Sequence, residues 1–463
     1  MQVSRRERER EHEHERGGAD GGIVIIGAGP VGTVAAMYLA PRFGPVTVLE
    51  RRQDPRGGGA RRGRSITVML SARGWRVLRE LGLEAAVRAI CLPIHGRCAH
   101  LPDGTSHTTP YSRDRQPIWS VERDRLNRLL LDAAEATDGV RIRFGTRVRE
   151  VDPDGPAVLL EDGAGRRRLA CRRVLGCDGA HSAARAALVA RGARATVRRL
   201  DLAHQEICAP GGWLDPSTMH YWPTGDALFA AFPLPSGEFA GSLFMRHDGP
   251  SPSYATVDGG RNLLEVFTDH FPGPAAAVPD IAEQLATKDA ATITTVSCDR
   301  WIHGDSLALL GDACHAMPPF MGHGMNCGFE DVRTLVERLD STGDWASALV
   351  AYEKSRIEDA EAISYLSFQH YHTMANPPQD ERAHAATRLR GRLYDLYPDR
   401  FAPRYEQCAF TEESYASVLR ADRRLDGLVD DLLGRYGAEL VAASDSRLHT
   451  AVSAAGTENL GDN

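Results

Sequence analysis

Residues 23-IVIIGAGPVGTVAAMYLAPRFGPVTVLERR-52 decide the fold. Four apolar residues lead into a turn with glycines at 27, 29 and 32. An alanine-rich helical run follows, and then a second apolar strand, VTVL. Unbroken apolar strands joined by a helix predict a parallel sheet buried on both faces. The glycine spacing adds a ligand to that fold. Gly27 permits the sharp turn, Gly29 lets backbone close on a pyrophosphate, and Gly32 packs helix on strand. The free N–H groups and dipole of the helix N-terminus then face the anion. Glu50 closes the second strand about 20 residues on, where an acid takes ribose hydroxyls. An acid there disfavours a 2′-phosphate, so the ligand reads as FAD or NAD rather than NADP.

The rest of the composition narrows the class. The chain has 463 residues, 42% hydrophobic and 25% charged, enough for a large core and two or three domains. A net charge of -7 argues against nucleic acid, which needs a clustered basic face. Nine cysteines without a C-x-x-C spacing predict a reduced, cytoplasmic chain with neither a disulfide framework nor a metal site. No apolar run approaches the ~18–20 residues that span a bilayer. The opening 1-MQVSRREREREHEHERGGADGG-22 has no apolar core for a secretory signal and reads as a solvated, disordered tail.

Two later segments repeat one pattern, an apolar strand that ends in Gly-Asp or Asp-Gly. They are 174-VLGCDGAHSAAR-185, with Asp178, and 311-GDACHAMPPFMGHGMNCGFEDV-332, with Asp312. Together with the first glycine turn they resemble the flavin-dependent aromatic hydroxylases, the single-component FAD monooxygenases. The resemblance implies that Asp178 lies near the pyrophosphate and Asp312 at the ribityl chain. It places the glycine turn, with Gly324, Met325 and Asn326, beside the isoalloxazine ring. Arg51, Val148 and Arg123, the last in 119-WSVERDRLNRLLLDAA-134, are implied along the cofactor as well. The chain has no second G-x-G-x-x-G, which suits a family in which NAD(P)H binds transiently without its own Rossmann domain.

Within that family the chain is most similar to the kynurenine 3-monooxygenases, from about Ile23 to about Tyr415. The strings 63-GRSITVMLSARGWRVLRELGLE-84 and 319-PFMGHGMNCGFED-331 carry the likeness. In 93-PIHGRCAHLPDGTSHTTPYS-112, Arg97 and Tyr111 stand at a family arginine and tyrosine that hold an amino-acid carboxylate. Tyr405, in 403-PRYEQCAFTEESY-415, stands at a second such tyrosine. A guanidinium fork suits a carboxylate, and a phenol adds a donor. Residue types alone favour a surface arginine and two core tyrosines; it is the motif register that assigns them to substrate. His370 falls where the family has a substrate-facing asparagine, Thr373 where it has glutamate, His323 where it has glutamine, and Met321 where it has an aromatic or histidine. Phe320, Met321 and His370 are therefore expected to line the substrate side.

The implied architecture is α/β: a Rossmann-type FAD-binding domain interleaved with a β-sheet substrate domain and followed by helices, the aromatic-hydroxylase fold. FAD-binding segments are expected at 21–90, 118–195 and 296–345, and substrate segments at 91–117 and 196–295. A helical region is expected at 346–440, with flexible tails at 1–20 and 441–463. Membrane-bound relatives end in an apolar anchor, whereas 441-VAASDSRLHTAVSAAGTENLGDN-463 is too polar to insert. The implied activity is hydroxylation of L-kynurenine or a substituted kynurenine at the 3-position, through a C4a-hydroperoxyflavin. It would use FAD, O₂ and NAD(P)H, with NADPH favoured, in a monomer or homodimer. A hydroxylase of another phenolic or aryl substrate, or a flavoprotein oxidase or dehydrogenase, remains open from sequence. No nucleophile–base pair is evident, as expected where a cofactor carries the hard chemistry.

Overall fold

The structure, a computed structural model, describes residues 22–57, 67–250, 252–258, 263–376 and 380–459. The expected tail at 1–20 and the start of the stretch from Gly63 lie outside them. The central sheet has six strands in the order Ile302–His303, Leu307–Leu309, Arg173–Gly176, Ile23–Ile26, Val46–Leu49 and Val140–Arg143. Every pairing but the first is parallel. All four residues of Ile23–Ile26 are buried, as a parallel strand covered on both faces requires. Ile26 is in register with Gly176 on one side and Leu49 on the other. The strand ends are thus level, and the first glycine turn, Glu50 and Asp178 emerge side by side at the carboxyl edge, where open α/β sheets bind ligands.

Backbone contact dictates two of the three glycines. Gly27 has φ +102°, and a Cβ on it would lie 2.4 Å from the Cys177 carbonyl oxygen. A Cβ on Gly32 would lie 1.9 Å from the Gly27 carbonyl oxygen. The helix Pro30–Phe43 follows, with Pro30 in its first turn, where the missing N–H costs nothing.

A seven-stranded sheet forms the second layer, in the order Ala291–Cys298, Ala195–Ala209, Phe239–Met245, Ala227–Pro233, Thr218–Pro223, Gly96–His100 and Ser106–Pro110. Its strands come from two separated stretches, so the interleaving implied by resemblance is present. Side chains alternate across it as period-2 patterning predicts. Leu228 and Ala230 face one core, and Phe229 and Ala231 face another. Cys91–Ile94 stands apart from this sheet and pairs with Ile118–Glu122 in a small sheet that also holds Thr67–Leu70.

Helices dominate the remainder, led by the 31-residue Trp345–Ala375, whose N-terminus is capped by the Asp344 carboxylate on the amides of Ala346 and Ser347. Among the described residues no helix is long and apolar enough to cross a membrane.

Residues 441–463, expected to be a flexible tail, contain the helix Asp445–Asn459. Leu448, Ala451, Val452 and Ala455 recur at i, i+3, i+4 and i+7 and are buried against Leu425, Leu428, Val429 and Leu432. The overall polarity of the segment hid this narrow apolar stripe. Leu448 is fully buried, so Leu448→Ala is expected to cost about 2–5 kcal/mol in urea unfolding. A change under about 0.5 kcal/mol would return the segment to the status of a loose tail.

Candidate active site

One cavity of about 890 Å³ runs from the first glycine turn to the inner face of the seven-stranded sheet. Gly27, Gly29, Glu50, Arg51, Arg123, Val148, Asp178, Asp312, Gly324 and Met325 line it toward the parallel sheet. Arg97, Tyr111, Phe320, Met321, His370 and Tyr405 line its far end. Two expected cofactor residues, Gly32 and Asn326, are not on its wall.

The near half fits FAD on its own geometry. A Cβ on Gly29 would meet nothing within 4 Å, so bare backbone borders open space at the start of the helix Pro30–Phe43. Glu50 stiffens that turn: its carboxylate accepts from the amides of Ala28 (3.0 Å) and Arg52 (2.9 Å). Asp178 accepts from the Ala183 amide through Oδ2 at 2.6 Å, while its buried Oδ1 has no partner. Burial raises the Asp178 carboxyl above its usual range, against the pull of the Ser182 side chain and the Ala183 amide. An unpartnered buried oxygen on a cavity wall is the kind of acceptor a ligand donor satisfies. Arg185, in the same sequence motif, turns away from the cavity. It donates to the carbonyls of Ala180 (2.6 Å) and Ala313 (2.7 Å), and so cross-links the two Asp-bearing turns.

The second glycine turn corrects one expectation. The Asn326 side chain is fully buried. Its Nδ2 donates to the carbonyls of Met69 (2.7 Å) and Gly322 (3.0 Å), and its Oδ1 accepts from the Ser71 amide at 3.0 Å. With these hydrogen bonds made inside the protein, the amide is a staple for the turn rather than a ligand contact. Gly74 makes room for it, since a Cβ there would come within 2.3 Å of Asn326 Oδ1.

Behind the turn lies a buried ionic network whose role the sequence did not show. Arg73 donates to Glu330 at 3.1 Å and sits over the Tyr415 ring at 3.9 Å. Arg356 donates to Glu330 (2.8 Å), Asp331 (2.9 Å) and Asp359 (3.3 Å). Asp331 also accepts from the Gly311 amide (2.9 Å) and from His315 Nε2 (2.6 Å). Burial alone would raise the Asp331 carboxyl, but His315 and Arg356 hold it down at about 2. The string Phe-Glu-Asp at 329–331 was a visible signature, but its partners at 73 and 356 had no sequence signal of their own.

At the far end, Arg97 Nη1 lies 3.1 Å from His370 Nε2, and its guanidinium carbon is 5.8 Å from the Tyr405 ring. Among the described residues no carboxylate pairs with Arg97. Tyr405 also packs against Tyr111 and His370, at 5.2 and 5.4 Å between ring centres. Burial, then the charges of Arg97 and Arg404, push His370 well below its usual pKa, so its ring is neutral. Arginine can only donate, so Nε2 accepts and the proton sits on Nδ1. Burial pushes Tyr111 up to about 12, against Arg97, and lifts Tyr405 as well, so both phenols keep their protons. Two departures from the family pattern fall off the cavity wall. His323 is buried and bonds the Tyr415 hydroxyl through Nδ1 at 2.9 Å, and Thr373 accepts from Arg404 at 3.0 Å.

Gly29→Val is expected to leave thermal stability of the apoprotein nearly unchanged while flavin retained per chain falls at least about tenfold, or ~1.4 kcal/mol. Equal flavin content in the variant would remove the turn from the cofactor site. Burial, then the Arg73 charge, lowers His323 to about 3. A histidine whose folded pKa lies below its unfolded value of about 6.5 contributes full stability above about 6.5. That contribution is lost as pH falls from there toward about 3. His323→Gln is therefore expected to shrink the drop in melting temperature between roughly pH 7 and pH 5. An undiminished drop would place the acid sensitivity elsewhere.

Comparison with known proteins agrees with this geometry. The model of the FAD binding domain family matches residues 21–366. A kynurenine 3-monooxygenase from Myxococcus xanthus is 34% identical over 419 residues, covering 89% of this chain and 90% of that protein. One from Xanthomonas oryzae pv. oryzae is 36% identical over 425 residues, covering 89% of this chain and 92% of that protein. Among solved structures, 2-methyl-3-hydroxypyridine-5-carboxylic acid oxygenase matches with a TM-score of 0.63 at 22% identity, over 80% of this chain and 97% of that one. The p-nitrophenol 4-monooxygenase of Pseudomonas putida DLL-E4 matches with a TM-score of 0.64 at 18% identity, over 88% and 98%. At such identities these two speak for the fold alone. The chain belongs to the kynurenine 3-monooxygenase family of FAD-dependent monooxygenases.

Proposed function

We propose that this enzyme hydroxylates the ring of L-kynurenine, or of a ring-substituted kynurenine, at the 3-position, with O₂ and NAD(P)H, NADPH favoured. The observation that supports this substrate is Arg97 at the far end of the cavity, with no carboxylate partner among the described residues and flanked by two protonated phenols and a neutral imidazole. A half-buried guanidinium on a cavity wall, without a carboxylate of its own among the described residues, is matched by a carboxylate substrate. FAD, when bound, supplies the electrons' relay from NAD(P)H and the activation of O₂. Gly27, Gly29, Glu50, Arg51, Arg123, Val148, Asp178, Asp312, Gly324 and Met325 are the side chains and backbone that would hold it.

The protein's own part is positioning and exclusion of water. Arg97 grips the carboxylate, and the Tyr111 and Tyr405 hydroxyls add donors that stay protonated at neutral pH. Nε2 of His370 keeps the guanidinium aimed by accepting from Nη1. Phe244, Met317, Phe320, Met321 and Met374 make the intervening wall apolar. The substrate's aniline nitrogen already enriches the ring carbons ortho and para to it, so no side-chain base is needed to activate the ring. Fixing the amino-acid end selects which ring carbon faces the flavin. Positioning of this kind is worth several kcal/mol, roughly 7–11 at the extreme.

Arg97→Ala is expected to raise KM for kynurenine about 10–100-fold, the equivalent of one charge-assisted pair, with FAD content unchanged. An unchanged KM removes Arg97 from the substrate site. A panel of kynurenine, ring-substituted kynurenines, tryptophan and anthranilate, scored for product labelled from ¹⁸O₂, tests the reaction itself. Label in none of them, with NAD(P)H oxidised only to peroxide, would overturn the proposed substrate class.

A further inference from the structure

The outer face of the seven-stranded sheet carries a cluster that the flavin chemistry does not use. Cys98 and His100 project from the strand Gly96–His100, and His220 from its parallel neighbour Thr218–Pro223. His220 stands directly across from Cys98 in the register, and His100 lies two residues along on the same face. Arg97, immediately before Cys98 in the strand, points through to the cavity, whose wall includes neither His100, His220 nor Cys98. Cys98 and His220 are 7% and 4% exposed.

We infer that Cys98, His100 and His220 form a binding site for a borderline-soft divalent transition-metal ion such as Zn²⁺. One donor atom from each residue lies within 4.8 Å of the other two. His100 Nε2 and His220 Nδ1 are 2.9 Å apart. A tetrahedral ion with bonds of about 2.0–2.3 Å holds its ligands roughly 3.3–3.6 Å apart. The cluster therefore needs shifts of a few tenths of an ångström to about 1 Å, within rotamer freedom, and it leaves a fourth position for water.

The surrounding groups orient the donors as a metal site requires. His220 Nε2 lies 3.0 Å from the Asp215 carbonyl oxygen, which can only accept. The proton is therefore on Nε2, and the Nδ1 lone pair faces His100. That N–H to carbonyl bond is the outer-shell contact that fixes a ligating histidine. The Asp215 turn is itself held by Ser217 and Thr218, whose hydroxyls donate to the Asp215 carboxylate at 2.8 and 2.9 Å. The His100 ring stacks on Trp222, with ring centres 4.5 Å apart and planes 10° off parallel, which sets its plane. Without an ion, His100 Nε2–H donates to His220 Nδ1. On binding, the His100 proton moves to Nδ1 and the Cys98 thiol releases one proton to solvent. Two neutral imidazoles and one thiolate then hold the dication, and the site has a net charge of +1.

Co²⁺ is the probe, because four-coordinate cobalt with a thiolate ligand gives intense absorption bands in the red, clear of oxidised flavin. The full-length FAD-loaded enzyme, stripped with a chelator, is titrated with Co²⁺. One ion per chain with red bands is expected, with one proton released per ion as read from the buffer dependence of the binding heat. Cys98→Ala is expected to abolish the bands and weaken binding more than about 100-fold, since even outer-shell partners are worth 10–100-fold. His12 and His14 of the N-terminal segment could take up cobalt on their own, but they include no thiol and give no thiolate signature. Absence of red bands in the wild-type chain, or their survival in Cys98→Ala, overturns the site. Should Cys98→Ala fail to retain FAD, His220→Gln is the deciding variant, with the same two outcomes.

Discussion

The architecture turns on two buried carboxylates, Glu330 and Asp331, clamped between Arg73 and Arg356. The turn at 322–324 presents the bare backbone of Gly322 and Gly324 to the cavity, while its one side chain, His323, is buried away from it against Tyr415. It is held from behind. Asp331 catches the Gly311 amide and so fixes the turn that carries Asp312. Arg356 stands on the same long helix, Trp345–Ala375, that carries His370 to the substrate end. Arg73, in the first turn of the helix Ala72–Glu80, reaches the carbonyls of Cys408 and Thr411, each at 2.8 Å, at the end of the helix Arg404–Phe410 that bears Tyr405. One network therefore sets the distance between the two ends of the cavity.

Such a network is not explained by stability. Replacing a whole buried ion set with apolar groups is often neutral or better, while deleting one member costs about 3–5 kcal/mol. What the ions contribute is registration. Apolar packing tolerates small slides, whereas a carboxylate that accepts from two directions, as Asp331 does from Arg356 and Gly311, has one position. A reaction that depends on which ring carbon faces the flavin needs that single position more than it needs extra stability.

The front of the chain was legible because its logic is backbone logic. IVII, the glycine spacing and Glu50 are local and dictated by close approach, and the structure returns them with Gly27 at φ +102°. That Arg97, Tyr111 and Tyr405 come together at one end of the cavity was legible only through motif register, since an arginine and two tyrosines say nothing alone. The Glu330–Arg73 pair was not legible, because it joins residues 257 apart in the chain. The motif sets Asn326 beside Gly324 and Met325, which do line the cavity, and nothing local tells a staple from a ligand. The helix Asp445–Asn459 is different: its i, i+3, i+4, i+7 stripe was there to be read, and the polar composition around it outweighed the period.

Where the chain departs from the family pattern, the structure sorts the departures by what they touch. His323 and Thr373 spend their hydrogen bonds on Tyr415 and Arg404, away from the cavity. Of the four, only His370 and Met321 lie on the cavity wall. A neutral imidazole accepts from Arg97 as the carbonyl of an asparagine would, so the carboxylate grip proposed above survives the exchange. The shape does not: a ring packed at a tilt 5.4 Å from Tyr405 is wider than an amide, and it directs an N–H from Nδ1 instead of an NH₂. Met321, whose amide donates to Ser367 at 3.2 Å, is pinned in backbone while its unbranched side chain adapts. One wall is thus stiffened by an aromatic ring and the other softened by a thioether. Under the proposed reading, substituents on the substrate's ring are admitted on the Met321 side, while the amino-acid end is read rigidly by Arg97 and His370.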